Sequence, residues 1–282
     1  SRHDNAPAVT ELAGEALALV AGLASALKFK GSFSLQAKGD GPVTLLLADC
    51  TDDGALRFHA RTDAERLAAL LEAEPRPNAA SLLGKGFLAF TVDQGPDMER
   101  HQGIVAIEGD TLADMAEHYF ATSEQHACWV RLACAGGPAG WRAGGLVLER
   151  IAGEGGIRPG AELDNAVLDG EGMPRNDSDD ESWTEALALA STLGPAELLD
   201  DALPGERLLF RLFHERGVAA DRPRALAYGC RCSRARLASI LERFPVDDLD
   251  HMEVGGDIVM TCEFCAVDFR FPRETVRGNV SN

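Results

Sequence analysis

Over residues 9–28, apolar side chains recur at helical spacing. Leu12, Ala16, Leu19, Val20, Leu23 and Leu27 share one face, with Thr10 or Asn5 available to start the turn. The pattern predicts a core-facing amphipathic helix. The period then changes to two: residues 33–37 and 43–50 alternate around Gly39-Asp40-Gly41-Pro42 and predict a hairpin. No Lys-Ser/Thr follows those glycines, so a phosphate loop is not supported there. Residues 56–61, 87–92 and 103–108 continue the strands, with a short helix over 64–71 and another from Thr111 to near Thr122. Residues 128–134 and 145–151 are expected to close the sheet. The fold class is α+β, with a curved antiparallel sheet in the N-terminal domain and helices packed on one face.

Between residues 153 and 181 the composition changes to nine acidic residues, six Gly and two Pro in 29 positions, which predicts a flexible acidic loop. The run Asp177-Ser-Asp-Asp-Glu181 reads as a solvated stretch rather than a cation site. Helical signals resume at Ser182-Trp183-Thr184-Glu185, a capping box, and run to Gly194. Pro195 and Pro204 suit first helical positions and predict helices over 196–203 and 205–213, the chain of short helices ending at Gly217. Leu198, Leu199, Leu208, Leu209, Leu212 and Phe213 are too many large apolar residues for a solvated linker. They are expected to dock on the sheet domain. The implied division is 1–181 for the core, 182–228 for a helical linker and 229–282 for a small C-terminal module.

That module carries the clearest chemistry. Cys230-Arg-Cys232 and Cys262-Glu-Phe-Cys265 are two close thiol pairs separated by 29 residues, the ligand count and pairing of a closed tetrahedral zinc site. One Zn2+ per reduced chain is expected on Cys230, Cys232, Cys262 and Cys265. Cys50, Cys128 and Cys134 have no ligand spacing and read as small buried hydrophobes, the last two facing the same side of one strand.

Cys-x-Cys, a spacer of this length and then Cys-x-x-Cys, at the C-terminal end of an acidic chain, resembles the Hsp33 family of redox-regulated chaperones. The resemblance extends to the helical run 236–243, to Met260-Thr-Cys-Glu-Phe-Cys265 with Phe269-Arg-Phe271, and upstream to Gly39-Asp-Gly-Pro42, Gln102-Gly-Ile-Val105, Glu108-Gly-Asp110, Tyr119-Phe120 with Ser123-Glu-Gln125, and Ala143-Gly-Gly-Leu146. It implies a holdase independent of ATP, inactive when reduced and zinc-bound, and activated by disulfide formation, zinc release and linker unfolding. Clients would be unfolded or oxidatively damaged proteins, met by the linker set with Trp183. The resemblance allows a homodimer when oxidised. The chain starts at a point several tens of residues inside a typical member, so an N-terminal strand and helix are expected to be lacking. Disulfides Cys230–Cys232 and Cys262–Cys265 are expected, because neighbours meet at little loop-closure cost once the metal has gone.

Charge and composition narrow the alternatives. A net charge of −18 argues against a nucleic-acid partner, and the module from residue 229 has seven Arg, no Lys and nine acidic residues. Arg231, Arg234 and Arg236 read as a solvated helix start whose positive charge would lower thiol pKa values. No Gly-x-Ser-x-Gly, His-Glu-x-x-His or Walker loop occurs, and four Cys ligands leave no open position for a hydrolytic water, so an enzyme is not expected. The sequence has no secretory signal and no run of 18 wholly apolar residues, which favours cytoplasmic residence without a membrane span. The alternative function is a zinc-stabilised protein-interaction module without redox switching. A thiol–disulfide oxidoreductase is disfavoured, because four cysteines committed to one metal are not a free dithiol.

Overall fold

The computed structural model describes residues 4–26, 30–95, 98–150, 177–219 and 222–276. Most of the expected acidic loop falls outside the described residues, as do the first three and last six positions.

Helix α1 (Pro7–Ala26) is the axis of the core. Val9, Ala16, Leu19, Val20 and Ala24 are fully buried, and Thr10 donates its hydroxyl back to the Ala6 carbonyl (3.3 Å). On one side lies a sheet in the order β5-β4-β1-β2-β3-β8, built from β1 (Ser32–Gly39), β2 (Val43–Thr51), β3 (Ala55–Thr62), β4 (Gly86–Asp93), β5 (His101–Ala106) and β8 (Ala227–Tyr228). Its pairs are antiparallel except β3–β8, which is parallel. The period-two pattern places Leu56, Phe58 and Ala60 of β3 against the core, and Arg57, His59 and Arg61 on the other face.

Strands β6 (Cys128–Gly137) and β7 (Gly140–Glu149) do not close that sheet as the sequence suggested; they form a separate two-stranded ribbon. The ribbon packs on the opposite side of α1. Cys134 lies so close to Gly14 that a Cβ there would stand 2.3 Å from its sulfur, and Val147 lies against Gly22. The physical reason is the helix itself. α1 is apolar on more than one face, so a single sheet cannot cover it and a second β layer does. By length and composition α1 could also cross a membrane, but burial between two layers accounts for those properties here.

Helices α2 (Ala64–Ala73), α3 (Ala79–Leu83) and α4 (Leu112–Tyr119) complete the core. Asp63, Asn78 and Thr111 cap them, Thr111 exchanging two bonds with Asp114. The expected extension of α4 to Thr122 instead passes into a wider turn over Phe120–Glu124.

The connector comprises α5 (Asp177–Ser191), α6 (Pro195–Leu198) and α7 (Gly205–Phe213). Two boundaries differ from expectation. Ser182 lies inside α5 rather than capping it, because the helix already runs from Asp177. α6 stops at Leu198 instead of reaching residue 203: the Asp200 side chain accepts from the Ala202 N–H (2.8 Å) and turns the chain. Pro195 opens α6 as expected, with Glu197 accepting from the Gly194 N–H, whereas Pro204 sits just before α7.

The connector docks as expected, and on the ribbon. Leu193, Leu208 and Leu212 are buried in a cluster with Leu198, Leu203, Phe213 and Leu146 of β7. Trp183, Leu199 and Leu209 are half-buried, while Phe210 is 64% exposed.

The C-terminal module contains α8 (Arg234–Leu241), α9 (Val246–His251) and a sheet of β9 (Glu253–Val254), β10 (Asp257–Thr261) and β11 (Asp268–Pro272). Leu241, Leu249, Ile258, Phe271 and Val276 form its own small core.

Candidate metal centre

Two local structures present the thiols. Cys230 and Cys232 lie on an extended segment between β8 and α8, whose start is fixed by Ser233 accepting from the Arg236 N–H (3.2 Å). Cys262 and Cys265 flank the tight turn from β10 to β11. There the Ala266 N–H donates to the Cys262 carbonyl (2.8 Å), the Cys262 N–H donates to Val267 (3.0 Å), and Ala266 adopts φ 54°. The antiparallel register Thr261–Asp268 leaves a six-residue reversal that points both sulfurs the same way.

The four sulfurs converge. Cys230 Sγ lies 3.6 Å from Cys262 Sγ, Cys232 Sγ lies 3.5 Å from Cys265 Sγ, and all four fall within 4.8 Å of one another. Ligands at the usual zinc–sulfur length of about 2.3 Å around a tetrahedral centre are separated by about 3.8 Å, so the cluster fits a metal ion of that size. The donor set is all sulfur, which suits a soft or borderline ion and not a hard one. Burial pushes the Cys232 and Cys262 thiols up. At Cys230 burial is outweighed by the Cys232 backbone N–H and the neighbouring thiols, which bring it down to about 7.

Cys50, Cys128 and Cys134 stand apart from this cluster. Burial pushes Cys128 and Cys134 up to about 12, and raises Cys50 as well, so they behave as apolar packing groups rather than nucleophiles.

One reading needs correction. The arginines beside the first pair are not simply a solvated helix start. Arg231 donates to Asp49 Oδ2 of β2 (2.6 Å), and Arg234 lies 4.5 Å over the Phe271 ring. Asp49 is 3% exposed and also accepts from Arg57 Nε (2.8 Å), so two guanidinium groups meet on one carboxylate oxygen. Arg57 in turn stacks on Phe264, 4.0 Å from its ring centre. His59 Nδ1 donates to the Glu263 carbonyl (3.1 Å) and Arg61 pairs with the Glu263 carboxylate (3.2 Å). These core residues were not singled out from the sequence, although the Arg57-x-His59-x-Arg61 alternation was there to be read.

The chain is similar to known proteins over nearly its whole length. A sequence model of the Hsp33 protein family matches residues 1–272. A 33 kDa chaperonin of Caulobacter vibrioides is 41% identical over 271 residues, covering 94% of this chain and 83% of that protein. One from Pseudomonas fluorescens is 32% identical over 275 residues, covering 96% and 81%. In structure, a 33 kDa chaperonin (heat shock protein 33 homolog) from Thermotoga maritima matches with a TM-score of 0.74 at 20% identity, over 98% of this chain and 86% of that one. With a family model matched over residues 1–272 and a relative 41% identical over 94% of this chain, the chain belongs to the Hsp33 family.

Proposed function

We propose that this chaperone-family chain is a redox-regulated, ATP-independent holdase whose reduced state is held off by one Zn2+ on Cys230, Cys232, Cys262 and Cys265. The observation that carries the reading is the convergence of these four sulfurs within 4.8 Å. Bound zinc supplies cross-linking: on the order of 10–16 kcal/mol in small modules of this kind, enough to decide whether the module folds. Among the described residues the module's core cluster holds five buried side chains, too few to be self-sufficient.

The chemistry of switching lies in the thiols. Each pair that closes to a disulfide gives up two electrons, and hydrogen peroxide taking those electrons with two protons becomes two waters. Disulfides Cys230–Cys232 and Cys262–Cys265 leave no thiolate to hold an ion, so the module loses its cross-link. The connector, whose buried residues among those described are Ala190, Leu193, Leu208 and Leu212, then loses the folded neighbour that follows it in the chain. Undocking uncovers these leucines, with Leu198, Leu199, Leu209, Phe213 and Trp183, for unfolded or oxidatively damaged clients. Seven thiols and no disulfide fit a reducing compartment such as the cytoplasm.

The test is direct. Zinc release is followed with a chromogenic chelator during peroxide treatment at elevated temperature, alongside light scattering of an aggregating client. Release that parallels suppressed aggregation supports the switch. Suppression without zinc release, or release without suppression, refutes it and leaves a zinc-stabilised interaction module.

A further inference from the structure

The residues between the thiols are placed as consistently as the thiols themselves. Cys-x-Cys has one intervening residue, Arg231, and Cys-x-x-Cys has two, Glu263 and Phe264; all three contact the outer face of the main sheet. Arg231 reaches Asp49 on β2, Phe264 lies under Arg57 on β3, and Glu263 is held by His59 through its carbonyl and by Arg61 through its carboxylate. Arg57, His59 and Arg61 alternate along β3, so one strand presents all three outward at a spacing that the turn between Cys262 and Cys265 matches. Asp49 opposes Arg57 in the sheet register and joins the two halves, since its Oδ2 takes both Arg57 and Arg231.

We infer that the strip Asp49, Arg57, His59 and Arg61 is a docking site for the metal knot, which reads whether the four sulfurs converge through the three residues between them. The inference deepens the proposed switch, and rests on it only in taking the four thiols to hold a metal. Arg231 and Phe264 come from segments 33 residues apart and meet Arg57 and Asp49 only because both pairs are drawn to one centre. If the first pair moves away, Asp49 keeps one guanidinium in place of two; if the second does, the Phe264 ring leaves Arg57. The contacts are coupled through Asp49 and Arg57, so they are lost together rather than one by one. The strip thus converts a change at sulfur into release of the module from the core. Release reaches β8, because the Ala227 and Gly229 N–H groups donate to Gly54 and Leu56 of the core (3.0 and 2.9 Å).

The experiment is hydrogen exchange by mass spectrometry on the full, reduced, zinc-loaded chain, comparing the parent with Arg57→Met. The expected result is about tenfold faster exchange in peptides spanning 222–231, with one zinc per chain retained and protection of β1 and β4 unchanged. Unchanged exchange over 222–231 overturns the inference. Loss of zinc together with protection also overturns it, since the arginine would then serve the metal knot itself. If Arg57→Met loses protection in β1 and β4 it has unfolded, and Arg231→Met, whose side chain is 37% exposed, decides by the same criteria. A parent chain that binds no zinc refutes the switch and the strip's metal premise together, while a zinc-loaded parent whose exchange Arg57→Met leaves unchanged refutes the strip alone.

Discussion

The carbonyl oxygen of Leu198 lies 2.6 Å from where a Cβ on Gly144 would stand, so connector and ribbon meet backbone to backbone. Only glycine permits that approach. Gly144→Ala should push α6 off β7 and loosen the Leu193–Leu208–Leu212 cluster, at a cost of about 1–3 kcal/mol. Limited proteolysis in excess reductant is expected to cut residues 183–217 faster than in the parent, at an unchanged zinc content. Equal cleavage rates would show that the docking tolerates the methyl.

The ligand assignment predicts a sharp division among the cysteines. Serine at 230, 232, 262 or 265 should abolish most zinc binding, whereas Cys50→Ser and Cys134→Ser should keep a full complement, since both lie in the α1 core. Metal analysis of the purified reduced variants checks this. A full complement in Cys262→Ser would remove the assignment.

Oxidation offers a choice that the folded cluster makes visible. The short sulfur contacts are Cys230–Cys262 and Cys232–Cys265, across the two pairs. Disulfides within the pairs, Cys230–Cys232 and Cys262–Cys265, are expected if the module opens as it oxidises, because local closure then wins. Peptide mapping that found mainly Cys230–Cys262 would mean the module stays folded through oxidation.

Glu15 of α1 gives the core a pH dependence. Burial, with a smaller push from Glu11, raises its carboxyl to about 7. A carboxyl raised in the folded state favours folding fully below its unfolded value near 4.5, and that contribution is lost as pH rises through about 7. The stability lost over this window should be no more than about 3 kcal/mol. Glu15→Gln should flatten the melting temperature between pH 5 and 8, the range in which this group titrates. A variant retaining the parent's slope would assign the effect elsewhere.

Much of this was legible along the chain. The hairpin around Gly39–Pro42, the capped α4 and the two thiol pairs follow from spacing alone, since each depends on residues near one another in sequence, and the structure brings the two pairs into one cluster. The ribbon was misplaced because strand pattern gives the face of a strand and not its neighbour: residues 128–134 and 145–151 alternate equally well beside β5 or across α1. The start of α5 was misread because Ser182-x-x-Glu185 satisfies a local capping rule that does not tell a helix start from a helix interior, and the helix already runs from Asp177. The docking strip was invisible for another reason. Asp49 and Arg231 are 182 residues apart, and neither is unusual until both are seen on one carboxylate oxygen.

Strand β8 has a consequence for the whole sheet. Two residues, Ala227 and Tyr228, cover the start of β3, and they stand immediately before the first thiol pair. While they remain, the hydrogen-bonding edge at Ala55–Leu56 is occupied by the protein's own chain. Were they to leave, Ala55 and Leu56 would join the rest of β3 as the border of the sheet, with unpaired amides and carbonyls where an extended polypeptide could add as a further strand. Such an edge selects for unfolded backbone rather than for any sequence, which is the selectivity a general chaperone needs.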